Sequence, residues 1–322
     1  MDLGASPRSL VSGSELVHIY RINRDRALDL VGRIKDKFPR MVGQYFTPLL
    51  HAAIASKDSR LVKYMIECGA STGIYCGRAA LAEAIIHADQ GEASEILSLL
   101  LGQTSHLDSV VLRDTRSSTS KVANIRILDA VEYMETPLLV AIGTKRESVV
   151  RLILERGADV NERPIGVTRT PLQKAAEVGS FTLTKLLISL GANVNASALG
   201  RWGATAVQFA ARGGYAGIVA LLSEEHANVT APSGYFRRTA IKTAAVNGRI
   251  DTVRLLLNTG KFDDQPGVGQ VQDALSRAKK NGHQEVVDQL RRHLENLQPP
   301  EGHTETFSEE AGSRRIMTEL EL

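Results

Sequence analysis

The sequence predicts an all-α repeat solenoid: stacked helix-turn-helix repeats with projecting β-hairpin loops. Three observations predict it. Four segments align without gaps, beginning at Thr136, Thr170, Thr205 and Thr239, with starts 34, 35 and 34 residues apart. Each unit is too short to bury an apolar face by itself, so such copies must stack on their neighbours. Finally, 43% hydrophobic and 23% charged residues are the composition of a folded chain rather than a disordered one. No apolar run reaches the ~18 residues of a membrane span.

Each element of the unit has a physical reason. The four threonines sit where a first helix must begin, and a Thr hydroxyl can cap its free N–H groups. Pro137 and Pro171 follow at the first helical position, where a missing N–H costs nothing. Ala175-Ala176, Ala210-Ala211 and Ala244-Ala245 are small enough for close helix approach. Gly179, Gly214 and Gly248 fall where the first helix ends in a left-handed conformation. Leu152/Leu154, Leu186/Leu187 and Leu255/Leu256 are expected on the buried stripe of the second helix. Gly157, Gly191 and Gly260 close that helix; His226 stands there in the third copy, which predicts a different helix end. Hairpins are expected through roughly 160–169, 194–204, 229–238 and 262–272.

A fifth copy begins at Asp273, DALSRAKKNGHQEVVDQLRRH. Upstream, TPLLHAAIASKDSRLVKYMIECGAS from Thr47 is a copy with one extra residue in its inter-helix turn. ALAEAIIHADQGEASEILSLLL from Ala80 is another, with an insertion around Asp89-Gln90-Gly91. These segments resemble the ankyrin repeat: a Thr-Pro-Leu turn, an Ala-Ala helix, a Gly turn, a Leu-rich second helix and a Gly-Ala-Asp-Val-Asn close. The resemblance covers roughly 47–295 and implies protein–protein contact with no intrinsic activity in the repeats.

The expected organisation is then an N-terminal helical cap over 1–45 with its first residues disordered, a repeat domain over 46–295 of six repeats plus a C-terminal cap repeat, and a tail over 296–322. Residues 103–134 break the period; Arg113–Lys121 reads as an exposed loop and Ala123–Met134 as an extra helix. From Pro299 the tail has six acids and two bases, a charge of −4, which leaves +7 on residues 1–298 of a chain whose total is +3. It is expected to be disordered.

Enzyme and metal chemistry find little to rest on. Gly267-Val268-Gly269 lacks the third glycine of a dinucleotide loop and a preceding strand, and is expected in a hairpin. The eight histidines show no metal-ligand spacing; His51 and His283 are expected to be structural. Two cysteines, Cys68 and Cys76, are too few for a disulfide framework and fit a reducing compartment, cytoplasm or nucleus. The segment MDLGASPRSLVSGSE lacks the apolar core of a secretory signal. No cofactor and no metal are expected. An enzyme with a site in 103–134 is the alternative of another class, and nothing there forms a catalytic constellation.

A basic surface with aromatics is the feature that points to function. On the first helices, the register places Lys174 and Glu177, Phe209 and Arg212, Thr243 and Val246, and Arg277 and Lys280 toward a concave groove, with Lys242 nearby. Hairpin tips add Arg163, Arg169, Arg201, Trp202, Tyr235, Phe236, Arg237 and Arg238. Trp, Tyr and Arg dominate binding energy at interfaces. The expected function is a monomeric, non-enzymatic scaffold or adaptor that binds another protein with an acidic surface through its tips and concave face. A nuclear transcription coregulator acting by protein contacts is a narrower version. No nucleic-acid motif accompanies the basic charge, and no membrane partner is expected.

Overall fold

The computed structural model describes residues 13–37, 42–72, 74–75, 78–88, 92–103, 107, 111–112, 134–164, 167–199, 203–233 and 237–297. It is a row of antiparallel helix pairs: α1 (Gly13–Ile22) with α2 (Arg24–Lys37), α3 (Val42–Ala55) with α4 (Ser59–Glu67), α5 (Ala80–His87) with α6 (Glu92–Gln103), and α7 (Pro137–Thr144) with α8 (Glu147–Glu155). It continues through α9 (Pro171–Val178) with α10 (Phe181–Ser189), α11 (Ala206–Gly213) with α12 (Ala216–Glu224), α13 (Ala240–Val246) with α14 (Ile250–Leu257), and α15 (Gln265–Lys280) with α16 (Gln284–Leu297). The first helices touch in sequence, α1 on α3, α5, α7, α9, α11, α13 and α15 in turn; the second helices α10, α12, α14 and α16 form a parallel row. This is the all-α repeat solenoid. Strand structure among the described residues is limited to β1 (Ile74–Tyr75) against β2 (Arg78–Ala79), β3 (Val111–Leu112) against β4 (Met134–Glu135), and a bridge between Ser233 and Arg238.

One core runs through all pairs, from Leu16, Val31 and Ile34 in α1–α2 to Val286, Val287 and Leu290 in α16. The alanine pairs are fully buried, as close helix approach requires. The second-helix stripe differs in detail from expectation. In α8 the buried residues are Val149, Val150 and Ile153, while Leu152 and Leu154 are only half-buried. Leu255 is likewise half-buried beside a buried Leu256. Leu186 and Leu187 are both buried.

Helix starts follow the threonines with one refinement. Thr170 and Gln173 form a reciprocal capping box, and the Thr136 hydroxyl accepts from the Leu139 N–H at 3.4 Å. The Thr205 and Thr239 hydroxyls make no such bond. At Thr205 the Gln208 side chain takes over half of the box, accepting from the Thr205 N–H at 3.2 Å. Helix α3 is an exception: it begins at Val42, five residues before Thr47, with Pro48 inside it.

The turn glycines answer two demands. Gly179, Gly214, Gly248 and Gly282 all have φ between +65° and +80°, the region that favours glycine. The residue after each of the last three also lies across the preceding glycine. A Cβ on Gly179 would sit 2.2 Å from the Tyr215 ring, one on Gly214 2.7 Å from the Arg249 chain, and one on Gly248 2.8 Å from the His283 ring. Arg249 Nε donates to the Arg212 carbonyl at 3.3 Å, and His283 Nε2 lies 3.0 Å from the Val246 carbonyl oxygen. The residue at this turn is therefore a brace between repeats, which is the structural role expected of His283.

Two expectations are corrected here. His226 does not change the helix end: its φ is +62° and its N–H reaches the Ser223 carbonyl, as Gly157 reaches Leu154 and Gly191 reaches Ile188. The closing hydrogen bond holds even a side-chain-bearing residue in the left-handed region. Nor is 262–272 a hairpin, for α15 begins at Gln265. Asp264 caps it, accepting from the Gly267 N–H at 2.8 Å, and Pro266 stands in the first turn. Gly267 belongs to that turn, where a Cβ would come 2.5 Å from the Phe262 backbone. The Gly-Val-Gly run is thus helical packing against buried Phe262.

Beyond the helices, asparagines tie the links together. Asn161 Nδ2 donates to the Gly191 carbonyl at 3.0 Å, and its Oδ1 accepts from the Asn193 N–H at 2.8 Å. Asn195 repeats both bonds with His226 and Asn228. In the next copy Thr230 replaces the asparagine, and its carbonyl accepts instead from Gln270 Nε2 at 3.2 Å. Residues 113–133, 89–91 and 298–322 lie outside the described residues, and with them the loop, most of the extra helix, the insertion and the acidic tail. Met134, the last residue of the expected extra helix, is in β4.

Candidate protein-interaction surface

The first-helix row sets the candidate surface, and three positions per repeat lie along it: the residue before the helix-starting Thr, and those four and seven places after it, of which the second is buried at Val140, Phe209 and Thr243. In the described structure these positions are heavily paired at the N-terminal end. Lys174 Nζ donates to Glu135 Oε1 at 2.6 Å, and both side chains are nearly covered, 14% and 13% exposed. Glu177 Oε1 accepts from Arg169 Nη2 at 3.1 Å and from Arg212 Nη2 at 3.0 Å.

Phe209 is not the exposed groove aromatic that its register suggested. Its side chain is 2% exposed, and the Arg169 and Arg212 guanidiniums stand 5.3 and 5.1 Å from its ring centroid. The cations cover the ring because its electron-rich face attracts them, while Glu177 links the same two arginines. Thr243 is also buried, its hydroxyl donating to the Thr239 carbonyl at 2.8 Å. Arg163 braces the link ahead of it, donating to the Ser197 carbonyl at 2.7 Å.

The C-terminal end is different. Lys242 stands three places after Thr239, where the two preceding repeats have Gln173 and Gln208. Those glutamines donate across to Ala196 and Ala231 carbonyls. Lys242 reaches instead to Asp273 Oδ2, at 2.7 Å, with its own side chain only 12% exposed. The Lys242 hydrogen bond, with help from the Lys242 and Arg277 charges, holds the Asp273 carboxyl below the ordinary aspartate range despite some burial. A folded-state pKa below the unfolded one stabilises the fold above the ordinary value of 3.8, and this support fades as pH falls through the lowered value. Lys242→Ala therefore moves the Asp273 titration upward, as carboxyl NMR shifts followed against pH will show.

Arg212, Arg238, Lys242, Thr243, Val246, Asn247 and Arg277 line a pocket of about 350 Å³ on this end. Arg237, Arg238, Arg277 and Lys280 are exposed. On this surface Arg169 and Arg212 share Glu177, Lys174 pairs with Glu135, and Lys242 pairs with Asp273. Sequence register found the cations but not their partners: Glu135 and Asp273 lie in neighbouring repeats, and only stacking brings them close. Arg201, Trp202, Tyr235 and Phe236 lie outside the described residues.

Among the described residues, no group of three or more His, Cys, Asp or Glu is placed to hold a metal ion, and no helix is long and apolar enough to cross a membrane. A family model described as the ankyrin repeat matches residues 133–164 and 169–198. A comparison with curated proteins finds no match for the chain. The ankyrin repeat is in general a module for contact with other proteins. The matched segments are the pairs α7–α8 and α9–α10, which are two ankyrin repeats, and α11 to α16 continue their row of helix pairs.

Proposed function

We propose that the chain is a scaffold or adaptor, without activity of its own, that captures a protein partner bearing an acidic surface. Partner contact falls on the first-helix face, and Arg201, Trp202, Tyr235, Phe236 and Arg237, which the sequence assigns to hairpin tips, are proposed to add to it. The observation that carries this reading is the gathering of cations from successive repeats around one pocket. Arg212, Arg238, Lys242 and Arg277 line it between α11, α13 and α15, with Arg212 also paired to Glu177 and Lys242 to Asp273. Such a patch steers and orients an acidic partner. The chain is read as a monomer within this proposal.

Affinity capture tests it with three full-length proteins: wild type, a groove variant with Arg277→Glu and Lys280→Glu, and a tip variant with Arg201→Ala and Trp202→Ala. Arg277 and Lys280 are exposed, so the groove variant keeps its fold. A direct partner is lost from the groove variant and weakened in the tip variant by about 30-fold or more if the tip holds a hot spot. Partners retained equally by all three proteins would exclude this face.

A further inference from the structure

Arg277 and Lys280 are exposed in the last turns of α15. Among the described residues, neither side chain is held by a hydrogen bond or an ion pair. Three places apart, they share one face of the helix, the face on which Asp273 precedes them. Asp273 is taken by Lys242 Nζ at 2.7 Å, and Arg277 adds only its charge to that pair. Lys279 falls about 200° round the helix from Arg277. The same chain carries acids within reach. Residues 299–313, which lie outside the described residues, contain Glu301, Glu305, Glu309 and Glu310 and no Lys or Arg. Because α16 runs antiparallel to α15, this segment starts at the far end from Lys280. The return is the length of α16, whose 14 residues span about 21 Å. Glu309 follows Leu297 by 12 residues, and a coil of that length spans about 19 Å.

We propose that Glu309 and Glu310 return to Arg277 and Lys280 within one chain and compete there with the acidic partner. The competition rests on the interaction reading above; the contact itself does not. Two adjacent carboxylates meet two cations one helical turn apart. An exposed ion pair is worth little when its members meet by diffusion. A tether changes this, because it holds the acids near the cations at an effective concentration on the order of millimolar. A contact with a dissociation constant about a tenth of that concentration covers the cations in most molecules and weakens an acidic partner about tenfold. Both the contact and the competition are electrostatic between exposed groups, so salt removes them by screening.

Two experiments on the full-length protein test the contact and the competition separately. In the first, a zero-length carbodiimide joins amines to carboxylates in direct contact, and the monomeric fraction is digested and read by mass spectrometry. Lys280 is expected to be joined to Glu309 or Glu310 at low salt, and about fivefold less at high salt. Lys279 and Lys185, both exposed, should be joined to them far less, and Arg277→Glu should suppress the Lys280 link. Links spread evenly over the three lysines, or present only in a dimeric fraction, would overturn the contact. In the second, a labelled oligoglutamate peptide is titrated into wild type and into a variant with Glu309→Gln and Glu310→Gln. Both positions follow α16, so the described fold is unaltered. The variant should bind the peptide about tenfold more tightly at low salt, and the gap should close as salt rises. Equal binding would overturn the competition while the interaction reading stands, provided Arg277→Glu with Lys280→Glu still weakens the peptide. A peptide that binds neither protein would overturn the acidic-partner reading and the competition together, and the cross-link would still decide the contact.

Discussion

Leu187→Ala is expected to lower the stability of the array by about 2–5 kcal/mol. Leu187 is fully buried in α10, which packs on α9 within its pair and on α12 of the next. Truncation removes apolar surface from the core and leaves a cavity that helices braced on both sides cannot fully close. Repeats contact only their neighbours, so the damage should remain local. Urea denaturation gives the total loss, and hydrogen exchange gives its extent. Protection should fall across 136–238 and persist in α3–α4 and α15–α16. A uniform fall from 47 to 295 would mean that the array opens as one cooperative unit.

Phe209→Ala should cost about 3–5 kcal/mol, and the reason differs. Here the lost side chain is part of a polar assembly: buried ring, two arginines beside it, and Glu177 joining them. Phe209→Leu keeps most of the apolar volume but offers no ring face, so its smaller cost, about 1–2 kcal/mol, reads the cation–π part. Thermal and denaturant midpoints of the three proteins check this. A Leu variant as unstable as the Ala variant would show that shape, not the ring face, decides. In either variant Arg169 and Arg212 lose their seat. Partner binding at the pocket that Arg212 lines should then weaken less than in Arg277→Glu, whose charge is reversed.

The sequence by itself determined the repeat, its helix pairs and its glycine turns from Thr136 onward. Each of these is local: a cap, a pair of small residues and a left-handed closure are written within one unit, and a period near 34 makes them visible. The start of α15 at Asp264 and Pro266 is local too, but the repeat period placed a hairpin over 262–272 instead. The register likewise places residues along the first-helix row, but it does not separate buried Phe209 and Thr243 from exposed Arg212 and Arg277.

Tertiary structure decided which of those residues are available. Lys174 and Glu135 stand 39 positions apart, Arg212 and Glu177 35, and Lys242 and Asp273 31. Each pair forms only when one repeat is laid on another, so no single unit foretells it. The same stacking buries Phe209 between arginines of two different repeats and turns a predicted contact aromatic into a structural one. It also places Arg238, Lys242 and Arg277 around one pocket. Local chemistry fixes where a helix starts and ends; neighbouring repeats fix which charges are paired.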